Sequence, residues 1–220
     1  MNVTKAISSR YSCRAFKSKQ IRKEILRKLI EISCRAPSWA NTQPWEIFVA
    51  SGAKLERLRK GFLENLHKQV PRAPELSAPS KWPDNLKKRI DELMNLRLPG
   101  LKLADDEVLR KQLAVHNYGF FNAPAVIYLC MDKSLAPWAL FDMGLFAQTM
   151  MLAAKQYGLD TIPAVMLVAY PDLIRLELKI PDNLLILIGI AIGYPDKSND
   201  LNKFRSPRRS VDEIVNFKGL

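Results

Sequence analysis

Helical periodicity dominates the pattern of apolar and polar positions along the chain. Ile25, Leu29 and Ile32 recur on one face of the segment 21–35, and this spacing predicts an amphipathic helix that ends before Pro37. The same kind of spacing predicts further helices over residues 4–10, 53–68, 85–97, 104–120 and 171–178.

Four segments have the composition of strands or of extended chain. Residues 45–50 and 125–131 are rich in aromatic and β-branched side chains. Residues 161–169 are predicted to be extended, and residues 184–194 form a continuous apolar run typical of a strand buried on both faces. Because helices outnumber strands and the two alternate only loosely, the predicted class is α+β.

The segment 137–157 is predicted to form a long helix that ends at Gly158. Its side chains are apolar almost all round, so we expect it to be buried in the core or at a subunit interface. Asp142 and Gln148 interrupt the apolar run, which argues against a membrane-spanning helix.

The stretch 71–121, about 50 residues long, contains no strand pattern, which is unusual between two core strands. Prolines mark its beginning, and two of the predicted helices occupy the rest. We interpret it as a helical excursion, and as a candidate lid, within a single domain that spans residues 1–220.

Composition and charge then narrow the class of protein. Apolar residues make up 48% of the chain, which is ordinary for a globular protein. The 34 Lys and Arg residues against 22 Asp and Glu give a net charge of +12, which indicates an anionic partner such as a phosphate, nucleic acid or an acidic membrane surface. The N-terminus lacks the apolar core of a signal peptide. We therefore expect a cytoplasmic protein that does not associate with membranes.

Cysteine and histidine are too sparse for a disulfide framework or a metal site. Cys13, Cys34 and Cys130 are far apart and odd in number, and His67 and His116 are the only histidines. The motifs GxGxxG, GxxxxGK(S/T) and GxSxG are absent. If the protein is an enzyme, a bound cofactor is expected to carry the chemistry, and His116 is expected to be a packed or surface histidine.

Three polar segments are candidate binding sites, and each also has a second interpretation that does not involve a bound small molecule. Residues 10–14, Arg-Tyr-Ser-Cys-Arg, suit a phosphate or another anion, or form a solvated basic turn. Residues 36–45, APSWANTQPW, form a proline-flanked loop that serves either binding or turn formation. Residues 205–209, RSPRR, are a second basic cluster, or a tail that meets an acidic partner or nucleic acid.

Together these segments resemble the flavin-binding nitroreductase family. The stretch ISSRYSCRAF is similar to the family's Arg-x-Ser-x-Arg/Lys segment, and APSWANTQPW is similar to its Ala-Pro-Ser-x-x-Asn-x-Gln-Pro-Trp segment. Further similarity follows in order along nearly the whole chain, at residues 120–125, 142–144, 148, 152–154, 158–159, 189–195 and 202–208.

The resemblance implies a fold, a cofactor and a reaction. The implied fold is a central mixed β-sheet flanked by helices, in an intertwined homodimer with one FMN at each of two interface sites. The implied reaction is ping-pong transfer of reducing equivalents from NAD(P)H to nitroaromatic, quinone or related acceptors. No catalytic side chain is implied, because the flavin N5 atom carries the chemistry.

The resemblance also implies residues that contact FMN. Those on the phosphate side are Arg10, Ser12, Arg205 and Arg208. Arg14 is the implied cation at the pyrimidine edge, where it would stabilise the negative charge of the reduced ring. The loop residues that would reach the FMN of the partner subunit are Pro37, Ser38, Trp39 and Asn41. The segment whose backbone would approach the ring includes Pro163 and Ala164.

This chain departs from the family pattern at two places. Ala164-Val165-Met166 stands where many members have a Glu-Gly pair, and Trp39 is bulkier than the usual small residue. Two other functions remain open. A flavin-binding sensor or carrier dimer would not consume NAD(P)H in the presence of an acceptor. A nucleic-acid-binding protein would cluster its basic residues among aromatic ones, whereas here they are spread over many helices.

Overall fold

The computed structural model describes residues 2–97 and 107–219. Within these ranges the predicted helices are all present, and the beginning of the predicted helix 104–120 lies outside the described residues. The helices are α1 (Val3–Ser9), α2 (Lys23–Ser33), α3 (Gly52–His67), α4 (Asp84–Arg97), α5 (Glu107–Tyr118), α6 (Trp138–Gln156) and α7 (Pro171–Leu178). None of these helices is long and apolar enough to cross a membrane.

Four strands form one sheet in the order β1-β2-β4-β3. They are β1 (Glu46–Ser51), β2 (Ala125–Asp132), β3 (Asp160–Ala164) and β4 (Leu184–Gly193). Every neighbouring pair is antiparallel. The α+β class is confirmed. The implied mixed sheet is wrong for these four strands. Helix α7 brings the chain back to the end of the sheet where β3 ends, so β4 runs in the opposite direction to β3. A single parallel bridge joins Ser12 to Thr161 on β3.

The sheet is covered on both faces, as the continuous apolar strands predict. On β2, Val126 and Tyr128 point to the side of α3 and α7, and Ile127 and Leu129 point to the side of α2 and α6. All four side chains are at most 1% exposed. Helix α6 therefore packs against the sheet with one face, whereas Trp138 and Phe141 on its other side are exposed, so within one chain the predicted burial holds for the sheet side only.

The extended segment is shorter than predicted. It is a strand only to Ala164 and continues as a 3-10 turn over Val165–Val168. The turn packs tightly on β4 at Gly189, where a Cβ atom would lie 2.6 Å from the Cβ atom of Leu167. Such a contact is too short for any side chain at that position, so the role of this glycine is close packing of the turn that follows Pro163.

The beginning of the 71–121 excursion is fastened to the sheet by a largely buried ion pair. The guanidinium of Arg175 donates from Nε and Nη2 to Oε1 of Glu75, at 2.9 and 2.6 Å. The second carboxylate oxygen of Glu75 accepts the Ile186 backbone N–H at 2.7 Å. Helix α4, by contrast, has no fully buried residue. The excursion therefore begins as a fixed segment and continues as an exposed helix.

Candidate functional site

Asn202 joins the two basic ends of the chain. Its Oδ1 atom accepts the backbone N–H groups of Arg14 and Ala15, at 2.7 and 3.2 Å. Its Nδ2 atom donates to the backbone oxygens of Ala15 and Asp196, at 2.7 and 2.8 Å. A buried amide that uses both donors and its acceptor is rigidly held. The segment 10–14 and the C-terminal basic segment are therefore brought side by side.

The N-terminal segment then runs along the free edge of β3. The Cys13 N–H donates to the Thr161 carbonyl at 3.0 Å, next to the bridge between Ser12 and Thr161. Pro163 lies two residues further on the same strand. A proline, which has no N–H to donate, is compatible with this edge position. Ser12 and the Pro163–Ala164 segment thus lie along one strand edge.

Three predicted phosphate contacts lie around this edge. Burial lowers the pKa of Arg10, and the positive charge of Arg208 lowers it further, against the opposing effect of Asp160. The guanidinium of Arg205 lies 3.7 Å above the ring of Tyr11 and donates from Nη1 to the Asn202 carbonyl at 2.6 Å. Arg10, Arg205 and Arg208 are therefore grouped near Ser12.

The positive charge of this group is not balanced. The neighbouring carboxylate of Asp160 already forms an ion pair with Lys155. Arg208 donates to Ser206, with Nη1 2.7 Å from its Oγ atom, and not to a carboxylate. In the described part of the chain, no ion pair involves Arg10, Arg205 or Arg208. An uncompensated group of guanidinium ions is suited to binding an anion.

A buried hydroxyl gives an independent indication of a ligand at the same place. Thr161 is 1% exposed, and its Oγ1 atom has no hydrogen-bond partner among the described residues. A buried polar group without a partner is unfavourable. Together with the adjacent cations, this orphaned hydroxyl fits the terminal phosphate of FMN, which is rich in acceptor oxygens. The residues present therefore fit the implied cofactor.

Arg14 forms no ion pair with a carboxylate of the described residues. Its Nη1 atom donates to the Ser12 carbonyl at 3.0 Å, and its own carbonyl oxygen lies 2.5 Å from Nε2 of His116. His116 is a packed histidine, since it also makes an edge-to-face contact with Phe121. Burial, followed by the positive charge of Arg97, lowers the pKa of Arg14 to about 10. Arg14 is thus a half-buried cation whose charge is not paired.

The APSWANTQPW loop lies against helix α6. The Trp39 N–H donates to Oδ2 of the buried Asp142 at 3.2 Å, and the Trp39 ring lies 6.4 Å from that of Trp138. A groove of about 530 Å³ lies between the loop and the helix; its walls include Pro37, Ser38, Trp39, Trp138, Phe141 and Leu145. The exposed fractions of Trp39, Trp138 and Phe141 are 69%, 68% and 63%. The groove is therefore both apolar and open.

The backbone of this loop is strained. Ala40, Asn41 and Gln43 have φ values of 49°, 57° and 47°, a region that residues other than glycine rarely adopt. The Oγ atom of Ser38 stabilises the turn by accepting the Gln43 N–H at 2.9 Å. Asn41 itself is exposed. Strain of this kind is held in place by surrounding contacts and is common in binding loops.

The predicted site residues thus fall into two groups within one chain. The group around Asn202 and β3 contains Arg10, Ser12, Arg14, Pro163, Ala164, Arg205 and Arg208. The group on α6 contains Pro37, Ser38, Trp39 and Asn41. The contacts described for the loop go to α6 and not to the first group.

Sequence reasoning missed several residues that build the first group. Asn202 lies within a motif that was recognised, but its role as the link between the chain ends was not predicted. Thr161, His116 and Arg97 carry no local signal, because each acquires its position from a residue far away in the sequence.

The sequence is similar to known nitroreductases. The family model described as Nitroreductase family matches residues 7–194. A 4-nitrobenzoate reductase from Pseudomonas putida is 31% identical over 216 residues, which cover 97% of this chain and 94% of that protein. Nitroreductase NfnB from Mycolicibacterium smegmatis is 30% identical over 212 residues, which cover 96% of this chain and 90% of that protein.

Solved structures share the fold over the full length. The FMN and NADPH-dependent nitroreductase NfnB from sphigopyxis sp. strain HMH superimposes with a TM-score of 0.92, at 27% identity and with 100% of both chains covered. The FMN-dependent nitroreductase NfnB from Mycobacterium smegmatis, in complex with NADPH, gives a TM-score of 0.90 at 29% identity, with 98% and 97% of the two chains covered. The family match and the full-length fold agree: the chain belongs to the nitroreductase family.

Proposed function

We propose that the protein passes reducing equivalents from NAD(P)H to nitroaromatic, quinone or related acceptors by a ping-pong mechanism. The enzyme is an FMN-dependent NAD(P)H oxidoreductase, as are the relatives of similar fold that are described as FMN-dependent or as bound to NADPH. The observation that carries the proposal is the group of unpaired arginines beside the orphaned Thr161 hydroxyl, which fits the cofactor phosphate.

Residues of both chain ends hold the phosphate in this proposal. Arg10, Arg205 and Arg208 supply charged donors, and Ser12 and Thr161 supply hydroxyl groups. A charged hydrogen bond contributes about 1.5–3 kcal/mol, so three such donors suffice for tight binding of one phosphate. The absence of a glycine-rich dinucleotide motif favours FMN over FAD.

Arg14 provides the positive charge at the other end of the site. Bound FMN would supply the hydride chemistry between NAD(P)H and the acceptor. Arg14 is held by Asn202 and His116 and stabilises the charge that reduction adds at the pyrimidine edge. The Pro163–Ala164 backbone lines the ring. No protein nucleophile takes part, in keeping with the two histidines of the sequence.

The protein acts as a homodimer in this proposal, and the loop Pro37–Asn41 completes the site of the partner subunit. The exposed rings of Trp39, Trp138 and Phe141 form an apolar patch that a second copy would cover. An obligate interface of this kind buries more than about 2,000 Å². A folded, flavin-loaded monomer in sedimentation at micromolar concentration would contradict the dimer.

A cytoplasmic location is supported by three free thiols, those of Cys13, Cys34 and Cys130.

Two measurements on the purified protein test the proposed function. The absorption spectrum should show flavin bands, and the released cofactor should be FMN. NADPH or NADH should then be consumed when a nitroaromatic acceptor such as nitrobenzene, or a quinone, is added. Ping-pong transfer predicts parallel lines when the reciprocal rate is plotted against the reciprocal NAD(P)H concentration at several fixed concentrations of the acceptor. Bound flavin without acceptor-dependent NAD(P)H consumption would support the sensor or carrier function instead.

A further inference from the structure

Tyr11 lies between Arg10 and Ser12 in the sequence, and its ring faces a cation from the other end of the chain. The Cζ atom of Arg205 lies 3.7 Å from the centroid of the Tyr11 ring. At this distance the guanidinium group stacks on the face of the ring, because an N–H group that pointed at the ring would hold Cζ further away. The Tyr11 ring therefore fixes the plane of the Arg205 guanidinium.

Stacking leaves the edge of this guanidinium available for hydrogen bonds. All N–H donors of an arginine lie in the plane of the group, so a ring against its face uses none of them. The Nη1 atom of Arg205 donates to the carbonyl oxygens of Asn202 and Phe204, at 2.6 and 2.9 Å. Within residues 2–97 and 107–219, Nε and Nη2 have no hydrogen-bond partner. These two atoms form the edge that can donate in parallel to two oxygens of one phosphate.

Tyr11 is itself held firmly, whereas Arg205 is exposed. The Tyr11 ring is half-buried and packs against the core on the side of α3 and α7. The next residue, Ser12, is fixed by its bridge to Thr161. Burial raises the pKa of Tyr11, so its hydroxyl stays protonated. A fixed, neutral ring thus supports a long side chain that would otherwise lose much rotamer entropy on binding an anion.

Arg208 shows that this support is specific to one arginine of the C-terminal segment. Its Nη1 atom donates to Oγ of Ser206 at 2.7 Å and to the Pro207 carbonyl at 2.9 Å. In the described part of the chain, no aromatic ring faces the guanidinium of Arg208. The direction of Arg205 therefore depends on the N-terminal segment, whereas the hydrogen bonds of Arg208 are local.

We propose that Tyr11 is a positioning residue for the FMN phosphate, and that its ring holds Arg205 with Nε and Nη2 free to donate to that phosphate. This inference rests on the proposed function and concerns the binding of its cofactor. Tyr11 acts through Arg205 and not through its hydroxyl. Its removal should therefore weaken the binding of FMN and not that of riboflavin, which is the same flavin without the phosphate.

The test measures the Kd of the full-length protein for FMN and for riboflavin by equilibrium dialysis, after its cofactor has been removed and at constant ionic strength. Tyr11→Leu should raise the Kd for FMN at least about fivefold, the factor that corresponds to about 1 kcal/mol. It should change the Kd for riboflavin less than about twofold. Tyr11→Phe, which keeps the ring, should bind both flavins within about twofold of wild type.

Tyr194→Leu is the matched control. It removes a tyrosine ring that also faces a cation, since Nζ of Lys19 lies 4.5 Å from its centroid, but Lys19 is not a predicted phosphate contact. The ratio of the two Kd values should stay within about twofold of wild type. A similar loss of FMN binding in Tyr11→Leu and Tyr194→Leu would mean that the effect of either ring on the phosphate is general, and it would overturn the assignment to Tyr11.

A double-mutant cycle tests the link to Arg205. In an Arg205→Gln background, Tyr11→Leu should raise the Kd for FMN less than about twofold further, because the side chain that the ring holds is already gone. Arg205→Lys keeps the charge at an exposed position but lacks the planar edge, so it should also raise the Kd for FMN about fivefold. Unchanged FMN binding in Arg205→Lys would overturn the proposal even if Tyr11→Leu did not fold.

The remaining outcomes separate the inference from the proposed function. Equal losses of FMN and riboflavin binding in Tyr11→Leu, additive effects in the cycle, or a loss in Tyr11→Phe as large as in Tyr11→Leu would overturn the role of the ring. Wild-type protein that binds neither flavin would refute the proposed function as well. Wild-type protein that binds FMN and consumes NAD(P)H, with FMN binding unchanged in Tyr11→Leu, would overturn the inference alone.

Discussion

Arg175 and Arg97 are both withdrawn from solvent, but their surroundings are opposite. Arg175 is 13% exposed, and its guanidinium is shared among the Glu75 carboxylate and the backbone oxygens of Pro181 and Leu184, at 2.8 and 2.5 Å. Arg97 has no such partner among the described residues. The first arginine is satisfied by the fold, whereas the second has no hydrogen-bond or ion-pair partner within residues 2–97 and 107–219. The difference separates an arginine whose partners are all supplied by the fold from one that has none among the described residues.

The same distinction applies across the molecule. Within the described part of the chain, Arg10, Arg14 and Arg208 likewise form no ion pair. A cluster of unpaired charges lowers the stability of the ligand-free protein, and the binding of an anion restores it. Substitution of arginine by an uncharged residue should therefore have opposite effects in the two environments.

The largest expected effect is on the fold. Arg175→Met leaves the Glu75 carboxylate largely buried and unpaired, which should lower the free energy of unfolding by about 4 kcal/mol. For a chain of this size, the melting temperature should fall by roughly 8–16 °C. Arg57→Met is the control: it removes an exposed partner of Glu177, and its effect should be far smaller. Equal losses of stability in Arg175→Met and Arg57→Met would contradict the expectation that the buried ion pair stabilises the fold more than the exposed one.

The next effect is on cofactor affinity. The double variant Arg10→Ala and Arg208→Ala removes two charged contacts, worth at least about 3 kcal/mol together, so the Kd for FMN should rise more than about 100-fold. The stability of the ligand-free protein should not fall. Arg209→Ala, which removes a partner of Glu213, should leave FMN bound. Full flavin retention in the double variant, measured by equilibrium dialysis, would contradict both assignments.

Arg14→Ala should act mainly on the redox potential. In the proposed site the charge of Arg14 stabilises the reduced cofactor more than the oxidised one, so its loss should lower the midpoint potential. One charged hydrogen bond of about 1.5–3 kcal/mol corresponds to roughly 30–65 mV for a two-electron couple. A redox titration measures the shift, with the exposed Arg27→Ala as control. An unchanged potential in a fully loaded Arg14 variant would leave the pyrimidine edge without its assigned cation.

The smallest effect has the opposite sign. Arg97→Met removes a half-buried charge that lowers the pKa of Arg14 and has no partner among the described residues, so the ligand-free protein should gain up to about 1 kcal/mol of stability. The melting temperature should rise by roughly 2–4 °C or less. Thermal unfolding of the flavin-free protein measures this directly. A loss of stability comparable to that of Arg175→Met would show that Arg97 has a structural partner.

The sequence predicted the local structure of the 71–121 excursion but not its long-range contacts. The prolines of 71–83 predict a loop, but the fixed position of that loop depends on Glu75 and Arg175, which are 100 residues apart. Helix α4 follows from its periodicity, but the burial of Arg97 and the effect of its charge on the pKa of Arg14 do not. Nothing in the local pattern distinguishes Arg97 from the solvated arginines of the other helices.

Local patterns alone determined the helices, the four strands and the motifs that gave the family, because periodicity, β-branched runs and turn residues act over a few positions. The tertiary structure decided the antiparallel order of the sheet, the end of β3 at Ala164 and the separation of the site residues into two groups. It also decided which charges are paired: Asn202 meets Arg14 across 188 positions, and Thr161 loses its hydrogen-bond partners only when it is buried. Pairing and burial depend on packing between distant segments, and a sequence pattern does not contain those distances.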